Sequence, residues 1–116
     1  MAVLTPRELL EQVVTACQES PAVGAYAVRT LTPDVLSVRF FIVDGSFIEV
    51  LHNAATAKTA YAWVREALRV YGKDNARLGW HEHPYASPST HVPCEPVTFA
   101  EFLRDVERLS SLPADS

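Results

Sequence analysis

Long apolar runs are missing from this sequence. The longest is the short stretch from Phe40 to Val43, whereas a membrane-spanning helix needs about 20 consecutive apolar residues. The first residues contain no basic stretch followed by an apolar one and soon reach Arg7 and Glu8, unlike a secretion signal. We therefore expect no transmembrane helix, no membrane partner and a cytoplasmic location.

Cysteine and net charge are also low. Cys17 and Cys94 are the two cysteines of the chain, and in a reducing cytoplasm such a pair is expected to remain as free thiols. A formal net charge of −4 excludes a general attraction for nucleic acids or anionic membranes. Any contact with RNA would therefore be made by a local group of basic residues.

What is present is the composition of one folded domain. The chain has 116 residues, of which 48% are hydrophobic, enough for a single core but not for two. We therefore take residues 1–116 as one α+β domain. The sequence shows no internal repeat and no low-complexity segment.

An amphipathic helix is predicted near each end of the domain. Thr5 and Glu8 form a capping box before a helix that runs to about residue 19, and Thr98 and Glu101 form another before a helix that runs to about residue 111 and is closed by Pro113. Each helix carries one apolar stripe at helical spacing. The stripes are Leu9, Leu10, Val13, Val14 and Cys17 in the first helix and Phe99, Phe102, Leu103, Val106 and Leu109 in the second.

Between the helices we predict an antiparallel sheet of about five to six strands within residues 23–83. Strands at 23–31 and 35–43 precede Asp44-Gly45, a pair typical of the two-residue type I′ hairpin. With that loop Val43 pairs with Ser46, and the buried face of the second strand is shared by the third. The face then contains Leu36, Val38, Phe40, Ile42, Phe47, Glu49 and Leu51.

The segment from Ala54 to Gly72 allows two interpretations. Its apolar residues fit a helical stripe that ends with Gly72 as the C-cap, and periodicity alone favours this helix. The same residues also fit a hairpin that turns at Glu66-Ala67.

A cluster of histidines lies in the loop predicted at residues 74–97. His81, His83 and His91 fall within eleven residues, and Asp74 precedes them. If residues 80–84 are extended, His81 and His83 point to the same face. Such a cluster could perform acid–base catalysis, bind a metal or form a structural corner. We predict catalytic roles for these four residues without a metal or other cofactor, because the spacing matches no zinc-finger pattern.

Further residues could contact a substrate. Arg65, Arg69, Lys73 and Arg77 give the stretch before the histidines a local positive charge, which could hold a phosphate backbone or simply face solvent. Glu49 among aromatic side chains would have a raised pKa if it were buried, which would suit an acid or base, whereas at a solvated sheet edge it would not. The predicted substrate contacts are Asn75, Arg69, Lys73, Tyr71, Trp80 and Glu49.

The order of these motifs resembles the TumE-like family, whose members are assigned as toxins of type II toxin–antitoxin modules. The resemblance covers residues 35–110. It rests on Asp44-Gly45-Ser46-Phe47-Ile48-Glu49-Val50, Tyr61-Ala62-Trp63, Arg69-Val70-Tyr71-Gly72-Lys73-Asp74-Asn75, Trp80-His81-Glu82-His83-Pro84 and His91.

The resemblance implies an antiparallel sheet flanked by helices, with the Ala54 to Gly72 segment as strands. It also implies a cytoplasmic toxin that acts on RNA or translation and is neutralised by a small helix-turn-helix antitoxin, with Asp74, Asn75, His81, His83 and His91 in the site. We therefore expect a small metal-independent ribonuclease, which could form a homodimer. The alternative is a non-enzymatic module that binds a ligand or partner, with a structural metal in the histidine-rich loop.

Overall fold

The computed structural model of the chain describes residues 3–76, 79–85 and 87–110. Within these ranges the chain contains two helices, with seven strands between them in the sequence. The elements are α1 (Pro6–Gln18), β1 (Val23–Leu31), β2 (Val35–Ile42), β3 (Phe47–Asn53), β4 (Lys58–Arg65), β5 (Leu68–Asp74), β6 (His81–His83), β7 (Val92–Pro93) and α2 (Phe99–Ser110). The strands form one antiparallel sheet in the order β1-β2-β3-β4-β5-β6-β7. The predicted α+β class is confirmed, with one strand more than expected because β7 forms inside the predicted loop.

Both helices begin where the sequence predicts them. In α1 the backbone N–H of Glu8 donates to Thr5 Oγ1, and the Glu8 carboxylate accepts from the Thr5 N–H, at 3.1 and 2.9 Å. Thr98 and Glu101 form the same pair of bonds before α2. Pro113, the expected stop of the second helix, lies outside the described residues. No helix in the described ranges is long and apolar enough to span a membrane.

The hairpin between β2 and β3 differs from the prediction by one residue. Ile42 and Ser46 close a three-residue loop, since the Ile42 N–H donates to Ser46 O, and Gly45 adopts a φ of +94°. Phe40 therefore pairs with Ile48 rather than with Glu49. Because side chains alternate along a strand, this shift moves the whole predicted set of β3 to the opposite face.

The segment after β3 is a hairpin, so the helix favoured by periodicity is wrong and the strands implied by the resemblance are confirmed. Arg65 pairs with Leu68 across a two-residue turn. The turn residues Glu66 and Ala67 have φ angles of +52° and +66°, as a type I′ turn requires. Glycine or asparagine usually marks such a turn, and its absence explains why the sequence signal was weak.

Both helices pack on one face of the sheet and leave the other face open. Phe99 and Phe102 of α2 contact the rings of Phe40, Tyr61 and Tyr71. Residues paired directly across neighbouring strands point to the same side, so the ladder identifies the uncovered side chains. The open face includes Arg39, Phe41, Phe47, Glu49, Leu51, Ala60, Ala62, Gly72, Asp74, His81 and His83.

Candidate active site

The register of β5 and β6 assembles the centre of the site. His81 pairs with Asp74, and His83 pairs with Gly72. Residues two apart share a face of a strand, so both imidazoles stand beside the Asp74 carboxylate on the open face. β7 returns the chain to this edge, because Val92 pairs with Glu82, and the preceding residue, His91, then reaches the same cluster.

The four side chains are in direct contact. His81 Nε2 lies 3.0 Å from Asp74 Oδ1, and His83 Nε2 lies 2.9 Å from Asp74 Oδ2. The His91 ring centroid is 4.6 Å from that of His83 and 5.3 Å from that of His81. One carboxylate thus holds two imidazoles, and a third ring packs against both.

Exposure differs sharply within this cluster. His83 is buried, His81 is half-buried and His91 is exposed. Among these groups, His91 is the one most open to solvent, and His83 is the one most enclosed by the protein.

The surroundings of the cluster lower the pKa of Asp74 and the pKa of His91. Burial alone would raise the pKa of Asp74, but the hydrogen bonds from the Ala76 N–H and His83, together with the charges of His81 and His83, outweigh it and lower the pKa. Partial desolvation, and then the positive charges of His83, His81 and Arg69, lower the pKa of His91. Asp74 is therefore favoured as a carboxylate and His91 as a neutral ring.

The two nitrogens of His81 both face oxygen acceptors. Nε2 faces Asp74, and Nδ1 lies 3.3 Å from the carbonyl oxygen of Gly79. A neutral imidazole has one N–H, so both contacts are hydrogen bonds only when the ring carries two protons. A cation bound at Nε2 would satisfy the same arrangement in another way.

His83 differs from His81, because only one of its two ring nitrogens has a hydrogen-bond partner among the described residues. Its Nε2 is bonded to Asp74, whereas its buried Nδ1 has no hydrogen-bond partner among the described residues. An N–H at that position would be a buried donor without an acceptor, which costs about 1–3 kcal/mol. The bond between Nε2 and Asp74 is the one hydrogen bond of this ring among the described residues.

Asp74, His81 and His83 could also hold a divalent cation. One ligand atom from each lies within 4.8 Å of the others, and two imidazoles with one carboxylate suit a transition metal. Metal-bound histidines almost always donate their second N–H to an acceptor. His81 has such a partner in Gly79, but His83 has none among the described residues. The three ligand atoms therefore suit a metal, whereas the hydrogen bonding around His83 does not.

Among the predicted basic residues that the structure describes, Arg69 is the one that reaches the cluster. A Cβ at Gly72 would meet Arg69 Cδ at 3.3 Å and His83 Cδ2 at 3.6 Å, so the Arg69 side chain lies over Gly72 beside His83. Its guanidinium donates to the carbonyl oxygen of Pro88 at 3.2 Å. Arg69 therefore ties the histidine-rich loop to β5 next to the imidazoles.

Gly72 is a site-forming residue that the sequence reasoning missed, because it was read as a helix cap. The signal was available, since a glycine inside a strand often marks a close approach. Here the approach is that of Arg69 and of Tyr61 O, which a Cβ would meet at 3.1 Å.

Three predicted substrate contacts lie on the helix-covered face. Tyr71 donates to Asp105 Oδ2 at 3.0 Å, and Lys73 Nζ lies 3.4 Å from the same oxygen. Trp80 stacks on Tyr61, with ring centroids 6.1 Å apart. These side chains join the sheet to α2 or to the core, and the structure does not bring them to the histidine cluster.

The remaining predicted contacts also have structural partners. Asn75 accepts from the Thr59 N–H at 2.7 Å and donates to Ala57 O at 3.0 Å, which fastens the β3–β4 turn to the end of β5. Glu49 is part-exposed on the open face and pairs with Arg39 at 3.3 Å. Arg77 lies outside the described residues.

Comparison with known proteins gives no match: no family model, no curated protein and no solved structure matches this chain. The resemblance to TumE-like toxins therefore rests on the order of motifs alone.

Proposed function

We propose that the chain is a metal-independent ribonuclease and the toxin of a type II toxin–antitoxin module. The observation that carries the ribonuclease proposal is the contact of three imidazoles around the single carboxylate of Asp74, with one imidazole open to solvent. The order of the sequence motifs supports the toxin assignment and, with it, a small helix-turn-helix antitoxin as partner.

In the proposed reaction His91 is the general base. It removes the proton from the ribose 2′-hydroxyl, whose oxygen attacks the adjacent phosphorus atom. The bond from phosphorus to the 5′-oxygen breaks, and that leaving oxygen receives the proton on His81 Nδ1, which exchanges its exposed 3.3 Å contact with Gly79 O for the substrate. The products are a 2′,3′-cyclic phosphate and a 5′-hydroxyl end. The 5.3 Å between the ring centroids of His81 and His91 lets both rings contact one phosphodiester group.

Asp74 and His83 position the acid. Asp74 bonds to His81 Nε2, so it fixes the orientation of this ring. His83 occupies the second oxygen of Asp74 and is itself buried. His83 is therefore a positioning residue rather than a group that touches the substrate.

Arg69 supplies positive charge to the developing phosphorane. Its side chain lies beside His83, and its charge acts on His91 together with those of His83 and His81. A fixed positive charge near the reacting phosphate stabilises the transition state more than the ground state. The Arg69 guanidinium thus provides a local positive charge for a phosphate although the net charge of the chain is −4.

A defined oligonucleotide tests the proposal. The substrate is a fluorescent single-stranded RNA, incubated with the purified protein in excess EDTA. Wild type should cleave it to a 2′,3′-cyclic phosphate end, and a 2′-deoxy substitution at the cleaved nucleotide should abolish cleavage. His91→Ala should lose about 10²–10⁴-fold in rate, as expected for a general base. Asp34→Asn, in the exposed β1–β2 turn, is the control that should cleave normally.

The toxin assignment needs a separate test in cells. Induction of the wild-type chain in a bacterial host should arrest growth, and His91→Ala should not, at equal levels of folded protein. His91 is exposed, so its replacement is compatible with folding. Arrest by both proteins would leave toxicity intact but separate it from the cluster.

A second candidate is a metal-binding module without turnover. It is favoured by the close spacing of ligand atoms from Asp74, His81 and His83. Calorimetric titration with Zn²⁺ or Ni²⁺ should then show one site per chain that Asp74→Asn removes. EDTA should also lower the melting temperature of protein purified with its metal, because metal binding adds to folding stability.

A further inference from the structure

The free edge of the sheet at β1 carries apolar side chains that are about half exposed. Tyr26 and Val28 are 50% and 42% exposed. β1 contains no lysine, proline or acidic residue, which are three of the features with which edge strands avoid pairing. The opposite edge, β7, has two residues and ends in Pro93, which has no N–H to donate. β1 is therefore the edge that can accept another strand.

The large apolar residues of β1 are placed symmetrically about its central residue. The strand runs from Val23 to Leu31, so Ala27 is its middle residue. Tyr26 and Val28 lie one step on either side of Ala27, and Val23 and Leu31 lie four steps on either side. In an antiparallel pair of identical strands centred at Ala27, Tyr26 would face Val28 and Val23 would face Leu31.

We propose that β1 pairs with β1 of a second copy of this chain, about a two-fold axis at Ala27. Tyr26 of each copy then lies opposite Val28 of the other, and aromatic with β-branched side chains form favourable cross-strand pairs. The axis is perpendicular to the sheet, so both helical layers lie on the same side. The two sheets become one continuous antiparallel sheet.

Charge and backbone geometry are compatible with this register. Arg29 is the charged residue of β1, and it faces Ala25 of the other copy rather than a second arginine. Register shifts in the β1–β2 pair between Val23 and Ala25 and between Val28 and Thr30 leave Ala25–Val28 as the regular stretch. Because such bulges twist an edge, the new pairing uses this stretch, which contains Ala27 and both of its neighbours.

The interface is independent of the histidine cluster. β1 lies at one end of the strand order, and β5, β6 and β7 lie at the other. Neighbouring strands are about 4.8 Å apart, so substitutions in β1 act on association without contacting Asp74 or the imidazoles. Failure of the ribonuclease proposal would leave this one unaffected, and the reverse also holds.

Cysteine cross-linking tests the register. In a Cys94→Ser background, Ala27→Cys places two thiols directly across the axis. Paired Cα atoms there are about 4.5–5.5 Å apart, within the range of a disulfide. The matched control Ala25→Cys places its two thiols four residues apart along the strands, about 14 Å, so it should not cross-link. Covalent dimer from Ala27→Cys alone supports the register, and equal or absent cross-linking overturns it.

A pair of charge variants tests the same contact without a covalent bond. Tyr26→Lys/Val28→Lys puts lysines opposite each other, whereas Tyr26→Lys/Val28→Glu puts each lysine opposite a glutamate. Light scattering should give wild type and the Lys/Glu protein at twice the 12.8 kDa of one chain, and the Lys/Lys protein at one chain. Circular dichroism checks that both variants are folded. A monomeric wild type, or equal masses for the two variants, would refute the proposal.

Discussion

Replacement of Ser46 by alanine tests how the hairpin at the start of β3 supports the core. Ser46 is 2% exposed, and its Oγ accepts a hydrogen bond from Trp63 Nε1 at 2.8 Å while donating to Asp44 Oδ1 at 2.5 Å. The indole of Trp63 is completely buried. Ser46→Ala therefore leaves the indole N–H without an acceptor in a place that water does not reach.

The size of the effect follows from that unpaired donor. A buried polar group that loses its partner costs about 1–3 kcal/mol. Asp44 also loses a donor, but its side chain is 37% exposed and water can replace the bond. We therefore expect a loss near 2 kcal/mol in the free energy of unfolding, about the middle of that range. For a domain of this size the melting temperature should fall by about 4–8 °C for each kcal/mol.

Urea denaturation measures this loss as a lower midpoint at an unchanged slope. The matched control is Ser37→Ala, at a part-exposed position on the open face of β2, where we expect a change within about 0.5 kcal/mol. Trp63→Phe provides the decisive background because it removes the donor. In that background Ser46→Ala should cost at least about 1 kcal/mol less than in wild type. An equal cost in both backgrounds would show that the indole bond is not the cause.

Three more predictions address acid stability, turn strain and thiol reactivity. Burial would raise the pKa of Asp44, but the hydrogen bonds from Ser46 and the contact with Arg65 outweigh it, so the folded pKa lies below the ordinary 3.8. The stability that this carboxylate adds is present above pH 3.8 and is lost as the pH falls through the folded pKa. Asp44→Asn should therefore reduce the fall of the melting temperature at acid pH. Glu66→Asn/Ala67→Gly should raise the free energy of unfolding by about 1 kcal/mol in urea denaturation, because it relieves two left-handed residues. Burial raises the pKa of Cys17 to about 12, so Ellman's reagent at pH 8 should modify Cys17 only after unfolding.

Local signals made most of the fold predictable. A capping box specifies a helix start from four consecutive residues, and both boxes of this chain form as expected. The strands β1 and β2 follow from β-branched and aromatic residues between turn formers. The β4–β5 hairpin was harder to predict, because Glu66 and Ala67 have left-handed backbone angles that neither residue type favours.

Register required information that the local sequence did not contain. Asp44-Gly45 is compatible with a two-residue loop and with a three-residue loop in which glycine takes a positive φ. The chain uses the second, which buries Ile48 and Val50 and leaves Glu49 beside Arg39. The predicted place of Glu49 on the buried face followed from the two-residue loop, and the three-residue loop puts this side chain on the open face.

The site was partly predictable for a related reason. The convergence of His81 and His83 needs only the alternation of side chains along a strand, so it could be inferred without knowing the fold. The contact with Asp74 needs the β5–β6 pairing, and that with His91 needs β7. Neither pairing has a strong signature, since β6 has three residues and β7 has two.

A β-bulge decides which basic residue serves the cluster. Arg69 and Lys73 are four residues apart, so a regular strand would place both on one face. The β4–β5 register shifts between Trp63 and Val64, which pair with Tyr71 and Arg69 and leave Val70 as the extra residue. Arg69 therefore turns to the face of His83, while Lys73 stays with Asp105 on the helix side. Bulges often re-aim a side chain beside an active site, and here the bulge supplies the positive charge that the proposed phosphoryl chemistry requires.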